Sequence, residues 1–204
     1  AEATGTAYEQ MGTTVGNVLR AFQINVSETS RVVDVLVQTS NRSGASILDL
    51  QYAFSYAAPV AKALNITLED TAATIGLMTK AGIQSSVAGT GLQTGLIRLQ
   101  KAAAGAAGET IGLARGQEKM TAGMQALGAS VVKANGELLP MDQTLLNLKK
   151  SLAEFSLADK IELTSALFGE AGGSKFLGVL NQSTNDIRKM FSDIRNSAGS
   201  TDKA

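Results

Sequence analysis

The sequence predicts an all-α fold, a multi-helix bundle carrying one small β-hairpin between Val131 and Leu139. Three observations carry that expectation. Apolar residues recur at helical spacing through most of the chain, between Ser/Thr-x-x-Asp pairs of the kind that cap helix starts. Only two prolines, Pro59 and Pro140, stand in 204 residues, so long helices are rarely interrupted. Aromatic residues make up 4% with no tryptophan, while alanine and glycine are abundant. An interior built from Leu, Ile, Val and Ala suits closely packed helices.

Taken in order, residues 1–26 predict a loosely attached amphipathic helix through Tyr8, Met11, Val15, Val18, Leu19 and Phe22. Ser27 opens a second helix whose Val32, Val33, Val35, Leu36 and Val37 have strand-like β-branching; the capping start and the length favour the helix. Residues 41–44 form a turn. Ser46 with Asp49 then caps a third helix bearing Ile47, Leu50, Phe54, Val60 and Leu64. Pro59 inside it predicts a kink or restart near Ala57 and Ala58, because the ring removes a backbone hydrogen bond and meets the preceding turn. Tyr52, Phe54 and Tyr56 point in different directions on a helix, which suits core packing with tyrosines at the surface better than an aromatic cage.

The organising stretch runs from Asn65 to Leu99. Thr67 with Asp70 starts a helix; Gly82 ends it in a left-handed C′ position, and Ile83 supplies the apolar contact that accompanies such a cap. Ser85 or Ser86 caps the next helix, which carries Val87, Leu92, Leu96 and Leu99. Gly91 and Gly95 lie four apart on it and predict close approach of another helix, since each glycine costs about 0.5–1 kcal/mol of helix propensity that packing must offset. Gly89, Gly91 and Gly95 also spell a G-x-G-x-x-x-G string. A dinucleotide site would need a buried strand upstream, and AGIQSSVA is not one.

An Ala/Gly-rich segment at about 100–119, with Gly105, Gly108, Gly112 and Gly116, predicts a weak helix or connection. Asn135 and Gly136 then predict a tight type I′ turn between short apolar arms, a hairpin that must lie against the helices because two strands alone are marginal. Asp142 begins an amphipathic helix with Leu145, Leu148 and Leu152. Ser156 with Asp159 caps another that Gly169 ends, and Gly172 and Gly173 permit a turn before Phe176. GEAGGSK lacks the glycine-lysine-hydroxyl order and the preceding strand of a phosphate loop. From Ser183 to Arg195 the stripe Ile187, Met190, Phe191 and Ile194 suits a core face or a self-association seam, and beyond Asn196 the chain turns polar and is expected to be disordered. The domain reading is thus a core at 27–182, flanked by 1–26 and a C-terminal helix and tail at 183–204.

Composition narrows function by exclusion. Eighteen acidic and eighteen basic residues give zero net charge, which offers no general attraction for nucleic acid or anionic membrane. With no histidine and no cysteine, the common general base, the thiol nucleophile and most transition-metal ligands are missing. Neither a catalytic nor a cofactor or metal site is expected. Only carboxylate chemistry remains open, and Glu69, Asp70, Glu137, Glu154, Asp159, Glu162 and Glu170 all fit caps, turns or solvated faces. No apolar run reaches the ~20 residues of a membrane helix. The opening AEATG shows no signal peptide, and the chain reads as a piece of something longer.

The run APVAKALNITLEDTAATIGLMTKAGIQSSVAGTGLQTGLIRL, with LFGEAGGSKFLGVLNQ farther on, resembles the core region of phage tail tape measure proteins. The family pattern has a helix ending in Gly-Ile, matched by Gly82 and Ile83, an AGT.L...L.RL helix, matched from Ala88 to Leu99, and a late LFG. It also has an Asp/Asn-Gly turn ahead of Leu-Pro, matched by Asn135, Gly136, Leu139 and Pro140. The likeness runs from about Val32 to Gln182, and the segment at about 100–119 departs from it as an insertion. It implies a structural, non-enzymatic role in the virion tail, assembled in the host cytoplasm, with tail-tube, tail-tip and tail-assembly chaperone proteins as partners. A generic helical interaction module and a carboxylate-based cell-wall hydrolase segment are the alternatives.

Overall fold

The computed structural model describes residues 2–103, 127 and 130–199. Among them stand nine α-helices: α1 (Glu2–Phe22), α2 (Thr29–Ser43), α3 (Ile47–Ala63), α4 (Leu68–Lys80), α5 (Ser85–Ala103), α6 (Met141–Leu152), α7 (Leu157–Phe168), α8 (Glu170–Asn181) and α9 (Thr184–Arg195). The all-α class holds. Most of the Ala/Gly-rich segment lies outside the described residues, as do residues 200–204.

Helix α4 is the axis of the molecule. Ten of its thirteen residues are buried, and small side chains (Ala72, Ala73, Thr74, Gly76) let neighbours press on it from every side. Helices α2 and α9 pack along it most extensively, and α5 and α3 press against it as well. The hydroxyls of Thr71 and Thr74 donate to the carbonyls of Thr67 and Asp70, so these two buried groups are satisfied within the helix. Helix α3 is flanked by α1 and α5, which make no comparable contact with each other, and α7 and α8 form a helical hairpin against α5. Buried apolar side chains from Val15 to Ile194 belong to one connected core. The stripe Ile187, Met190, Phe191 and Ile194 is buried in that core, so it is a core face and not a free seam.

Local chemistry explains the boundaries. Ser46 and Asp49 form a reciprocal capping box at α3, and Ser156 and Ser183 each accept the N–H three residues on. At Gly82 (φ +82°), its N–H donates to Thr79 and that of Ile83 to Met78, the paired bonds of a Schellman end, with Ile83 buried beside them. The same arrangement closes α1 at Gln23 (φ 55°) and α3 at Asn65 (φ 56°), neither of them glycine. In α2 the valines that resemble a strand fall at helical intervals, with Val32, Val35 and Leu36 buried.

Several expectations are corrected. The β-hairpin does not form: among the described residues there is no strand, only an isolated antiparallel bridge between Val132 and Leu138. The turn is not type I′, because Gly136 (φ +83°) alone has a positive φ and the Asn135 side chain instead accepts the Glu137 N–H. Gly136 N–H closes back on Lys133, giving a longer loop, while Pro140 and the start of α6 end the second arm at once. Gly172 and Gly173 mark no turn; α8 runs through them from Glu170. Pro59 causes no restart: α3 runs through it, and both Pro59 and Ser55, the residue one turn before it, are exposed. The first α5 bond runs from Ala88 N–H to the Gln84 carbonyl, so Gln84, not a serine, holds the N-cap position. Past Asn196 the chain is still tied down, with Ser197 buried and the Gly199 N–H donating to Asp34.

Candidate functional site

Two features gather the residues that could act: the glycine contacts of α5, and a polar junction at the start of α4. On α5 the glycines do different jobs. A Cβ on Gly89 would lie 2.5 Å from the Ala53 carbonyl oxygen and 2.7 Å from its Cα, so here two helix backbones meet directly. Gly95 lies against a phenyl ring: a Cβ there would overlap Phe168, which stacks on Phe176 with centroids 3.5 Å apart. At Gly91 a Cβ would meet the Met78 methyl at 3.5 Å and the Phe168 carbonyl oxygen at 3.9 Å, both ordinary contact distances. Gly82 and Gly169 are backbone devices, both left-handed (φ +82° and +81°) with open space around them. Asn135 and Gly136 stand apart from these in the loop before α6.

Sequence reasoning passed over Gly89 as packing because its GxG string pointed elsewhere. The signal was on the partner helix, where Ala53, Ala57 and Ala61 recur every fourth residue and are all buried. Gly173 was missed likewise; a Cβ there would overlap the backbone of Ser165 on α7.

The polar junction is built on Asp70. Thr67 caps the Asp70 N–H, but the Asp70 carboxylate does not return the favour. It accepts from Arg195 Nε at 2.7 Å and from the Met141 N–H at 3.2 Å. Proline at the N-cap of α6 has no side chain to bond the orphan donors of that helix, so Asp70 serves one of them from α4. Arg195 also donates to Asp142 at 2.8 Å and lies over the Phe191 ring at 5.2 Å. The Asp70 bond, then that of Asp142, raises the proton affinity of this guanidinium above its ordinary value, against the opposing effect of burial. Helices α4, α6 and α9 are thereby joined at one point.

Beside it, Arg31 on α2 forks onto both Glu69 oxygens at 2.7 and 3.1 Å. Glu69, Asp70 and Asp142 therefore line one shallow cleft with Thr67, Pro140 and Arg195, yet each carboxylate is held by an arginine. A pair of catalytic carboxyls must be free to meet a substrate, whereas each of these three is engaged in an ion pair with an arginine. Glu137 is bonded to Lys133 at 3.1 Å on the loop, and its carboxyl is held below the usual range by Asn135 and then Lys133. Glu154, Glu162 and Glu170 are exposed, and Asp159 lies in the first turn of α7. Among the described residues no group of three or more His, Cys, Asp or Glu could hold a metal ion, and no helix is long and apolar enough to cross a membrane. What the geometry provides is structural: tight helix contacts and cross-helix polar ties.

Comparison with known proteins points the same way. A family described as phage-related minor tail protein matches residues 1–169. The tape measure protein of Pneumococcus phage Dp-1 is 32% identical over 181 residues, covering 89% of this chain and 14% of that protein. The probable tape measure protein of Escherichia phage P2 is 30% identical over 184 residues, covering 89% of this chain and 21% of that protein. This chain thus spans between a seventh and about a fifth of the length of these relatives. No solved structure matches it. A bundle of capped helices with carboxylates spent on ion pairs, matched over most of its length by that family, belongs to the phage-related minor tail proteins.

Proposed function

We propose that this chain is a structural segment of a tape measure protein, acting in tail assembly and tail-length determination through helix packing and protein–protein contacts, and that it is non-enzymatic. Within such a protein it is a compact assembly or anchoring module and not the ruler itself. The observation that carries this reading is the burial of α4 within the other helices. A single extended helix of 204 residues would reach about 300 Å at ~1.5 Å per residue, the geometry by which chain length can set tube length. A chain folded on α4 gives up that reach. The module includes α1 and α9, whose apolar residues join the same connected core as the helices between them. Its partners are tail-tube, tail-tip and tail-assembly chaperone proteins, and its place is the virion tail, after assembly in the host cytoplasm.

The test uses the parent protein in its phage. Gly89→Leu, which drives a side chain into Ala53, abolishes tails in electron micrographs of lysates, whereas Gly91→Ala leaves them normal. Normal tails from Gly89→Leu, once the purified segment is shown to be unfolded by it, would overturn the proposal.

A further inference from the structure

The loop before α6 holds a reactive pair. Of the nine asparagines in the chain, Asn135 alone is followed by glycine. A backbone nitrogen can attack the carboxamide carbon of the asparagine before it, and the side chain that follows is what usually stands in the way. Gly136 has none, and a Cβ built on it would meet nothing within 4 Å, so the space beside that nitrogen is open. Both residues are exposed to water. The Asn135 side chain is also preset. Its Oδ1 accepts the Glu137 N–H at 3.2 Å, which lays the carboxamide forward across the Gly136 peptide. That N–H lies where negative charge gathers on Oδ1 during attack, as oxyanion donors do. The loop itself is lightly held. Gly136 N–H donates to the Lys133 carbonyl at 3.0 Å, one isolated bridge joins Val132 to Leu138, and Gln100 of α5 reaches the Gly136 carbonyl at 3.5 Å. Exposed bonds of this kind open at little cost, and opening frees the nitrogen.

We infer that Asn135 is a site of spontaneous deamidation, with water and hydroxide as the only co-reactants. The Gly136 nitrogen gives its proton to hydroxide and bonds to Asn135 Cγ. The Cγ–Nδ2 bond then breaks, Nδ2 takes a proton from water and leaves as ammonia, and a five-membered imide remains. Water opens that ring at Cγ to give aspartate, or at the Asn135 main-chain carbonyl to give isoaspartate. Nothing is oxidised or reduced; an asparagine and a water become an acid and an ammonia. Either product adds a negative charge two residues from Glu137. Isoaspartate also lengthens the main chain by a carbon, which takes the Gly136 N–H and the Glu137 carbonyl out of step with their bonds to Lys133. The arm beyond leads through Pro140 to Met141, whose N–H rests on Asp70, so the change lies close to the polar junction. The inference rests on the chemistry of this loop and stands whether or not the tail role does.

The experiment ages the purified whole chain in mildly alkaline and mildly acidic buffer. Every asparagine is followed by peptide mass spectrometry, and isoaspartate is scored by enzymatic methylation. It is run on the unchanged protein and on Gly136→Ala, which puts a side chain after Asn135; melts first show that both are folded. Deamidation should appear at Asn135 well ahead of the other asparagines and yield both aspartate and isoaspartate. It should quicken about tenfold per pH unit, as a step that needs a deprotonated nitrogen does. Gly136→Ala should slow it at least ~10-fold. In the modified fraction, separated by its added charge, amide exchange should rise at residues 131–139 while the middle of α4 keeps its protection. An Asn135 that stays intact in the folded chain, while the same chain in urea deamidates there, overturns the inference. So does deamidation spread evenly over the nine asparagines, or a rate that Gly136→Ala leaves unchanged.

Discussion

On helix α5, two glycines two residues apart respond oppositely to the same added methyl group. Gly89→Ala forces a Cβ into the backbone of Ala53, and backbone can relieve the overlap only by parting the helices, so it costs about 1–3 kcal/mol. Gly91→Ala meets the end of a flexible methionine at ordinary distance and removes a poor helix former; it is neutral or stabilising by up to ~1 kcal/mol. Thermal melts of the two variants check both signs. Gln23 ends α1 in a left-handed conformation that suits glycine, so Gln23→Gly raises stability by about 1 kcal/mol in the same assay. Asp49 adds a pH dependence. The Ser46 hydroxyl, then the Ser46 N–H and Ser85, hold its carboxyl below the usual range. A folded-state value below the unfolded one of about 3.9 means that stability is present above that pH and lost as pH falls through the folded value. Asp49→Asn therefore flattens the acid limb of a stability-against-pH curve; an unchanged limb would show that the cap carries no linkage.

Elements differ in how much of them the sequence reveals, and the difference is physical. Starts at Ser46, Ser156 and Ser183 and the end at Gly82 are legible because cap and partner lie within a few residues of each other. What depends on distant chain is not. Asp70 has the spacing of a local capping acid, but its carboxylate goes to Arg195, 125 residues away, and to the first turn of α6. The Asn135-Gly136 signal for a hairpin is real as a loop, yet the arms are cut short by Pro140 and α6 before a second bridge can form. Gly89 became legible as a contact only once Ala53 was placed opposite it. The Asp70 junction yields its own prediction. Asp70→Ala leaves a buried donor and a guanidinium without their acceptor and costs about 3 kcal/mol, more than Arg195→Ala, whose side chain is 37% exposed and whose loss water partly compensates. Amide exchange should rise first in α9, the helix that the junction fastens. Uniform loosening of all nine helices would argue that α9 is not held separately.

At the scale of the molecule, packing accounts for features that no single helix explains. A neutral chain poor in aromatics builds its interior by bringing backbones close together, and the glycines and alanines of α3, α4 and α5 are the means. Arginines at the periphery then fix one helix against another, Arg31 from α2 to α4, Arg42 from α2 to α9 and Arg98 onto the α7 carbonyls. On the proposed reading, such a body acts through the surfaces it presents and not by measuring length in extension. That claim is tested most directly by tail lengths in electron micrographs of phage carrying an in-frame deletion of residues 65–99 in the parent protein. A module that must fold gives no completed tails. Normal tails shortened by about 50 Å, the reach of 35 helical residues at ~1.5 Å each, would instead make this stretch part of the ruler and contradict the account.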